Sequence, residues 1–188
     1  MSPRAGLDLT IIVKAAANRA DQDGYDELTL ASVAQELGVR SPSLYNHVGG
    51  LPELRVHVAV YSLIEFLRRL REAKGDNVGE EAILALGMGY IQFVRDHPGL
   101  YEMILRSKDL SDSRLSGYGE EIVQLVVGCL EPYHLDSEMA IHIVRAIRSL
   151  LHGFASLEQG GGFGIALDLN VSVRLGLRTL LAGIERPG

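Results

Sequence analysis

The chain has no tryptophan, a single cysteine, Cys129, and few aromatic residues of any kind, with seven tyrosines and four phenylalanines in 188 residues. One cysteine excludes an internal disulfide framework and suits a reducing compartment. Basic residues are also scarce. Eighteen Lys and Arg stand against 24 Asp and Glu, a formal net charge of −6, which argues against a protein that coats nucleic acid through a general positive field. No apolar run approaches the ~20 residues that a membrane-spanning helix needs. The stretch MSPRAGLDLTIIVKAAANRA carries scattered charges and lacks the small-residue cleavage site of a secretory leader. A cytoplasmic protein with no membrane partner is expected.

The signatures of several chemistries are missing too. GxGxxG, the phosphate-cradling GxxxxGKS or GxxxxGKT, HExxH, GxSxG and paired-cysteine metal spacing do not occur in residues 59–188. His134 and Glu138 stand four apart, and such a pair on a helix reads as a surface contact rather than a metal site. No enzyme activity, metal or cofactor is expected. An all-α enzyme using Tyr101, His152 and Glu158 is the least favoured reading.

What is present is helical periodicity, with strand alternation nearly absent. The spacing predicts an all-α protein of about nine helices. The first runs from Leu7 to Asp23 and stops at Gly24. Thr29 caps a short helix over Leu30 to Leu37, which Gly38 ends in a left-handed turn. In the segment LGVRSPSLYNHVGGLPEL, Ser41 is placed to cap, Pro42 to open a helix, and Leu44 and Val48 to anchor it before Gly49-Gly50 ends it. A long helix follows over 51–74, then others over 77–96, from Pro98 through HPGLYEMILRS, over 120–130, over 137–158 and over 168–185. KDLSDSRLSG reads as a loop.

Three helices of unequal length, the last two short and joined through Gly38, describe a helix-turn-helix, in which one helix braces and the next lies in the DNA major groove. Leu44 faces the core, while Arg40, Ser41, Ser43, Tyr45 and Asn46 can point outward. Ser and Asn suit base edges, and Arg suits guanine. Tyr45 and His47 carry hydrogen-bonding tips on stiff rings, suited to fixing a phosphate. Residues 1–55 hold five basic and seven acidic side chains, so binding there rests on a few placed contacts. The alternative on spacing alone is a capped turn in which Tyr45 and His47 are packed or idle.

The run LTLASVAQELGVRSPSLYNHVGGLPEL resembles the DNA-binding signature of the TetR (tetracycline-repressor-like) family of bacterial transcription regulators. The matching residues are Thr29, Ala34, Leu37-Gly38-Val39, Ser43-Leu44-Tyr45, His47-Val48 and Leu54, and AAANRADQDGYDELTL resembles the family's first helix and turn. The resemblance implies that Thr29, Tyr45 and His47 grip phosphates and that Arg40, Ser41, Pro42, Ser43 and Asn46 approach bases. It departs at Leu51, where most members have lysine. One phosphate contact is therefore missing: either operator affinity is lower, or backbone N–H groups near Leu51-Pro52 partly substitute.

GYIQFVRDHPGLYEMIL and LLHGFASLEQGGGF are similar to a subgroup named for a Trp-His-Gly tripeptide, which here reads Leu151-His152-Gly153. The resemblance implies two domains: 1–50 for DNA, and 51–188 for effector binding and dimerisation, with helix 51–74 joining them. It also implies a homodimer on a palindromic double-stranded operator and a small-molecule effector. Tyr90, Phe93, Tyr101, Met103, Tyr118, Arg145, His152 and Phe154 have the makeup of an effector pocket, although Phe93, Met103 and Phe154 also suit plain core. The final helix presents Leu169, Val173, Leu177, Leu180 and Leu181, with Gly176 and Gly183 allowing close approach, as a dimer face. The expected function is a ligand-responsive repressor. The alternative is a helical dimer of this family that has lost operator binding and acts through ligand or protein partners.

Overall fold

Most helix limits in this chain are set by caps. Asp8 accepts the Ile11 N–H at 2.8 Å and starts α1, Leu9–Asp23, two residues later than the periodicity suggests. α2, Leu30–Leu37, opens on a reciprocal box: Thr29 Oγ1 accepts from the Ser32 N–H, and Ser32 Oγ from the Thr29 N–H, both at 3.0 Å. A six-residue 3-10 helix, Ser41–Asn46, follows. Then come α3 (Leu51–Lys74), α4 (Gly79–Asp96), α5 (Pro98–Arg106) and α6 (Ser113–Cys129). A 3-10 turn, Glu131–Tyr133, leads to α7 (Ser137–Gln159) and α8 (Leu169–Ile184). This computed structural model describes residues 7–107 and 112–184, and among them it is all-α with no strand. None of the described helices is long and apolar enough to cross a membrane.

α6 begins earlier than composition suggests. The expected loop at its start is helical from Ser113, while residues 108–111 lie outside the described residues. The Asp112 carboxylate accepts the Arg114 N–H at 2.9 Å and its guanidinium at 2.7 Å, which holds its pKa down at about 2. From Asp112 onward this polar sequence thus forms a capped first turn, with Ser113 and Arg114 exposed. The surface pairing also differs from expectation: Glu138 lies 3.8 Å from His142, one turn onward in α7.

By contacts the chain forms two compact units, Met1–Glu65 with His97–Ser116, and Phe66–Asp96 with Gly117–Gly188. In the first, α1 packs on α2 and α5. Ile12, Ala16, Ala20, Leu28, Leu44, Leu54 and Val58 are all fully buried there. In the second, α4 lies against α7 and α8. Gly87 permits that approach, because a Cβ there would meet Leu177 Cδ1 at 2.5 Å and Leu151 Cδ2 at 3.3 Å. Phe66 packs on Tyr90 and Phe93 with ring centroids 5.2 and 4.9 Å away. Each such fully buried side chain contributes about 1.5–3 kcal/mol. At the end of α4, Arg95 forks onto Glu158 at 2.7–3.1 Å and reaches Asn170 Oδ1 at 3.0 Å, tying the end of α7 and the start of α8 to α4.

Candidate nucleic-acid interface

The short segment after α2 is built from three local devices. Gly38 takes the left-handed conformation (φ +64), and the chain closes the helix end with Val39 N–H to Ala34 O at 3.0 Å. The 3-10 helix is then nucleated by Ser43 N–H to Arg40 O at 2.9 Å, with Pro42 in its first turn, where a missing donor costs nothing. Arg40, not Ser41, occupies the cap position, and no side chain caps this helix. Side chains at i and i+3 eclipse in a 3-10 helix, which keeps such runs short. The helix ends at Asn46, with His47 N–H and Val48 N–H both donating to Leu44 O, at 2.9 and 3.0 Å.

This geometry sorts the side chains sharply. Leu44 and Val48 are buried at 0% and 2%, whereas Tyr45, beside Leu44, is 60% exposed. Arg40, Pro42 and Asn46 are exposed, and Ser41, Ser43 and His47 are half-buried. Thr29 is exposed with its hydroxyl engaged in the α2 cap. All eight candidate DNA residues therefore lie in the first unit, and none of them is buried. The arrangement holds two ring-bearing side chains, several small polar groups and one guanidinium on a short rod braced by α2, which packs against it.

At the start of α3 an acidic side chain takes up a backbone donor. The Gly49 N–H, next to the position where backbone donors are expected to stand in for the missing lysine, donates to Glu53 Oε2 at 2.6 Å. Glu53 also lies 3.6 Å from His57. An acidic group thus occupies this helix start, where its charge favours the helix dipole and disfavours a phosphate.

Other contacts fell outside sequence reasoning. The Tyr25 ring, in the turn between α1 and α2, carries Arg55 of α3 and Arg106 of α5, each 4.4 Å from its centroid. Asp21 of α1 holds the start of α5. The only signal in the sequence for the α1–α5 contact is the run His97-Pro98-Gly99, since a glycine just inside a helix marks a close approach.

The candidate effector residues are divided between the units. Tyr101 and Met103 are buried on α5 in the first, at 4% and 1%. Tyr90 and Phe93 belong to the Phe66 cluster of the second. Tyr118, His152 and Phe154 are half-buried, Phe154 stacking on Phe163 at 6.0 Å, and Arg145 is exposed.

On α8, Val173, Leu177 and Leu181 are buried within the protomer, so they cannot serve as an outward face. The residues that do face out are Val171 and Leu175, 62% and 65% exposed. α7 adds Met139 and Leu157 on its outer side. Gly176 packs against Leu150 and Phe154 of α7, so its close approach is intramolecular.

A short, exposed helix braced by α2, among described residues that are all helical, has the build of a helix-turn-helix protein. Comparison with known proteins takes this further. Residues 83–180 match the family described as the tetracyclin repressor-like C-terminal domain. The chain is 37% identical over 185 residues to YobS of Bacillus subtilis (strain 168), an uncharacterized HTH-type transcriptional regulator, covering 98% of this chain and 96% of that one. Its fold is similar to that of a protein of unknown function from Rhodococcus sp. RHA1, with a TM-score of 0.84 and 20% identity over 99% of this chain and all of that one. It is also similar to a TetR variant from Acinetobacter baumannii AYE in complex with minocycline, with a TM-score of 0.69 and 20% identity over 96% and 97% of the two chains. The chain belongs to the TetR family and is a transcriptional regulator of that type.

Proposed function

We propose that the chain is a ligand-responsive repressor that binds a palindromic operator as a homodimer, with residues 1–50 reading DNA and 51–188 serving dimerisation and effector binding. The observation that carries the DNA reading is the contrast between adjacent residues: Leu44 fully buried as an anchor and Tyr45 60% exposed beside it. Tyr45, His47 and Thr29 grip phosphates, and Arg40, Ser41, Pro42, Ser43 and Asn46 meet base edges.

The outward apolar residues Val171 and Leu175 of α8, with Met139 and Leu157 of α7, support a two-fold interface through these helices. A two-fold partner presents a second rod to the matching half-site. The effector reading is supported by the minocycline-bound neighbour of the same fold, and the candidates within the second unit are Tyr90, Phe93, Tyr118, Arg145, His152 and Phe154. Effector binding favours one arrangement of the helices and so changes operator affinity. A mobility-shift assay with DNA flanking the gene, at low salt, tests the proposal; a retarded complex is expected, and no shift with any upstream fragment would overturn it.

One observation favours a second reading, a regulator that has lost operator binding. Glu53 sits at the start of α3 on the Gly49 N–H, and Leu51 stands where the family usually has lysine. Unchanged promoter output on replacing Tyr45 and His47 with Ala would select it.

A further inference from the structure

Within the first unit, α5 is fastened to the helix-turn-helix elements at both of its ends. At its start, one carboxylate oxygen of Asp21 accepts the Leu100 N–H at 2.9 Å, and the other lies 2.8 Å from His97 Nδ1. Gly99 is packed so tightly on α1 that an added Cβ would overlap the Ala20 carbonyl. At its end, Arg106 stacks over Tyr25 and reaches the Asp26 carboxylate at 3.3 and 3.4 Å. The same ring carries Arg55, in the first turns of the helix that follows the reading rod.

Tyr25 is thus a joint among three elements. It lies in the turn that leads to buried Leu28 and the Thr29 cap of α2. Two guanidinium groups repel one another, and the negative face of an aromatic ring is what lets both approach one point. Asp26 offsets the charge of Arg106. None of these groups belongs to the exposed reading surface.

We propose that Tyr25 is a positioning residue for DNA reading: by joining Arg106 to Arg55 it fixes the reading rod and its brace relative to α5. This rests on the operator-binding reading above.

The test uses full-length protein, the fragment that wild type binds, fluorescence anisotropy across a salt series, and thermal unfolding. Tyr25→Leu is expected to weaken binding about three- to tenfold through loss of two cation–π contacts, and Tyr25→Phe to restore it. The slope of log affinity against log salt stays at the wild-type value, because no phosphate contact is lost. A direct phosphate contact would lower it by about one. Arg106→Gln, at an exposed side chain, gives the same weakening where Tyr25→Leu fails to fold. Unchanged affinity in the folded variants, or a reduced salt slope, overturns the proposal. Wild type binding no fragment would instead sink the operator reading itself, and this inference with it.

Discussion

The rod and the α7–α8 pair both commit side chains to the surface, and they do so in opposite ways. The rod buries two apolar anchors, Leu44 and Val48, and turns a tyrosine, an asparagine and an arginine outward. α8 buries Val173, Leu177 and Leu181, and still has Val171 and Leu175 left over on its outer side. A surface that keeps polar tips on stiff rings suits a hydrated, charged partner. A surface that leaves large aliphatic groups in water suits another protein face, since burying each gains about 1.5–3 kcal/mol. The two surfaces therefore suit the different partners proposed for them, DNA for the rod and a second copy for the helices.

The strongest way to sharpen that contrast is to remove an anchor. Leu44→Ala should cost about 2–5 kcal/mol of stability, measured by urea unfolding, and should abolish any DNA complex by letting the rod detach. A loss below 1 kcal/mol would mean that the rod is not held from behind. On the other region, Leu175→Glu places a charge on the proposed interface. It is expected to raise the dimer dissociation constant about 100-fold or more in sedimentation, from lost burial and an unpaired charge, with protomer helicity unchanged. A dimer of wild-type strength would move the interface elsewhere.

A smaller effect is expected at the brace. Thr29→Ala removes one half of the α2 capping box and should lower stability by about 1 kcal/mol. Thr29→Ser, which keeps the acceptor, should recover most of that loss while testing whether the cap, rather than the methyl group, matters. The readout is the unfolding midpoint of each variant.

Much of this was legible in the sequence because it depends on neighbours. Ser41-Pro42, Gly38 and the spacing of Leu44 and Val48 specify a short, sharply bounded element from a window of about ten residues. Thr29 and Gly38 mark the two ends of its brace. The sequence did not reveal that the rod is 3-10 rather than α, because that choice turns on which carbonyls the last N–H groups reach. Nor did it show which stripe of α8 faces out: Leu169, Val171, Val173, Leu175, Leu177, Leu180 and Leu181 surround the helix, and only packing on α4 and α7 selects among them. Polarity misled at Ser113, where a cap at Asp112 makes a helix from loop-like residues. The Tyr25 joint was invisible for a simpler reason. Its partners Arg55 and Arg106 lie far along the chain, and no local pattern announces them.

The central claim is that the rod's exposed rings hold DNA without holding up the fold. The most direct measurement is the operator affinity and unfolding midpoint of Tyr45→Ala combined with His47→Ala. The account predicts at least a roughly tenfold weaker complex, from the loss of two phosphate contacts, with a midpoint within error of wild type. Full affinity with an unchanged midpoint, or a lowered midpoint that accounts for all the lost binding, would contradict it.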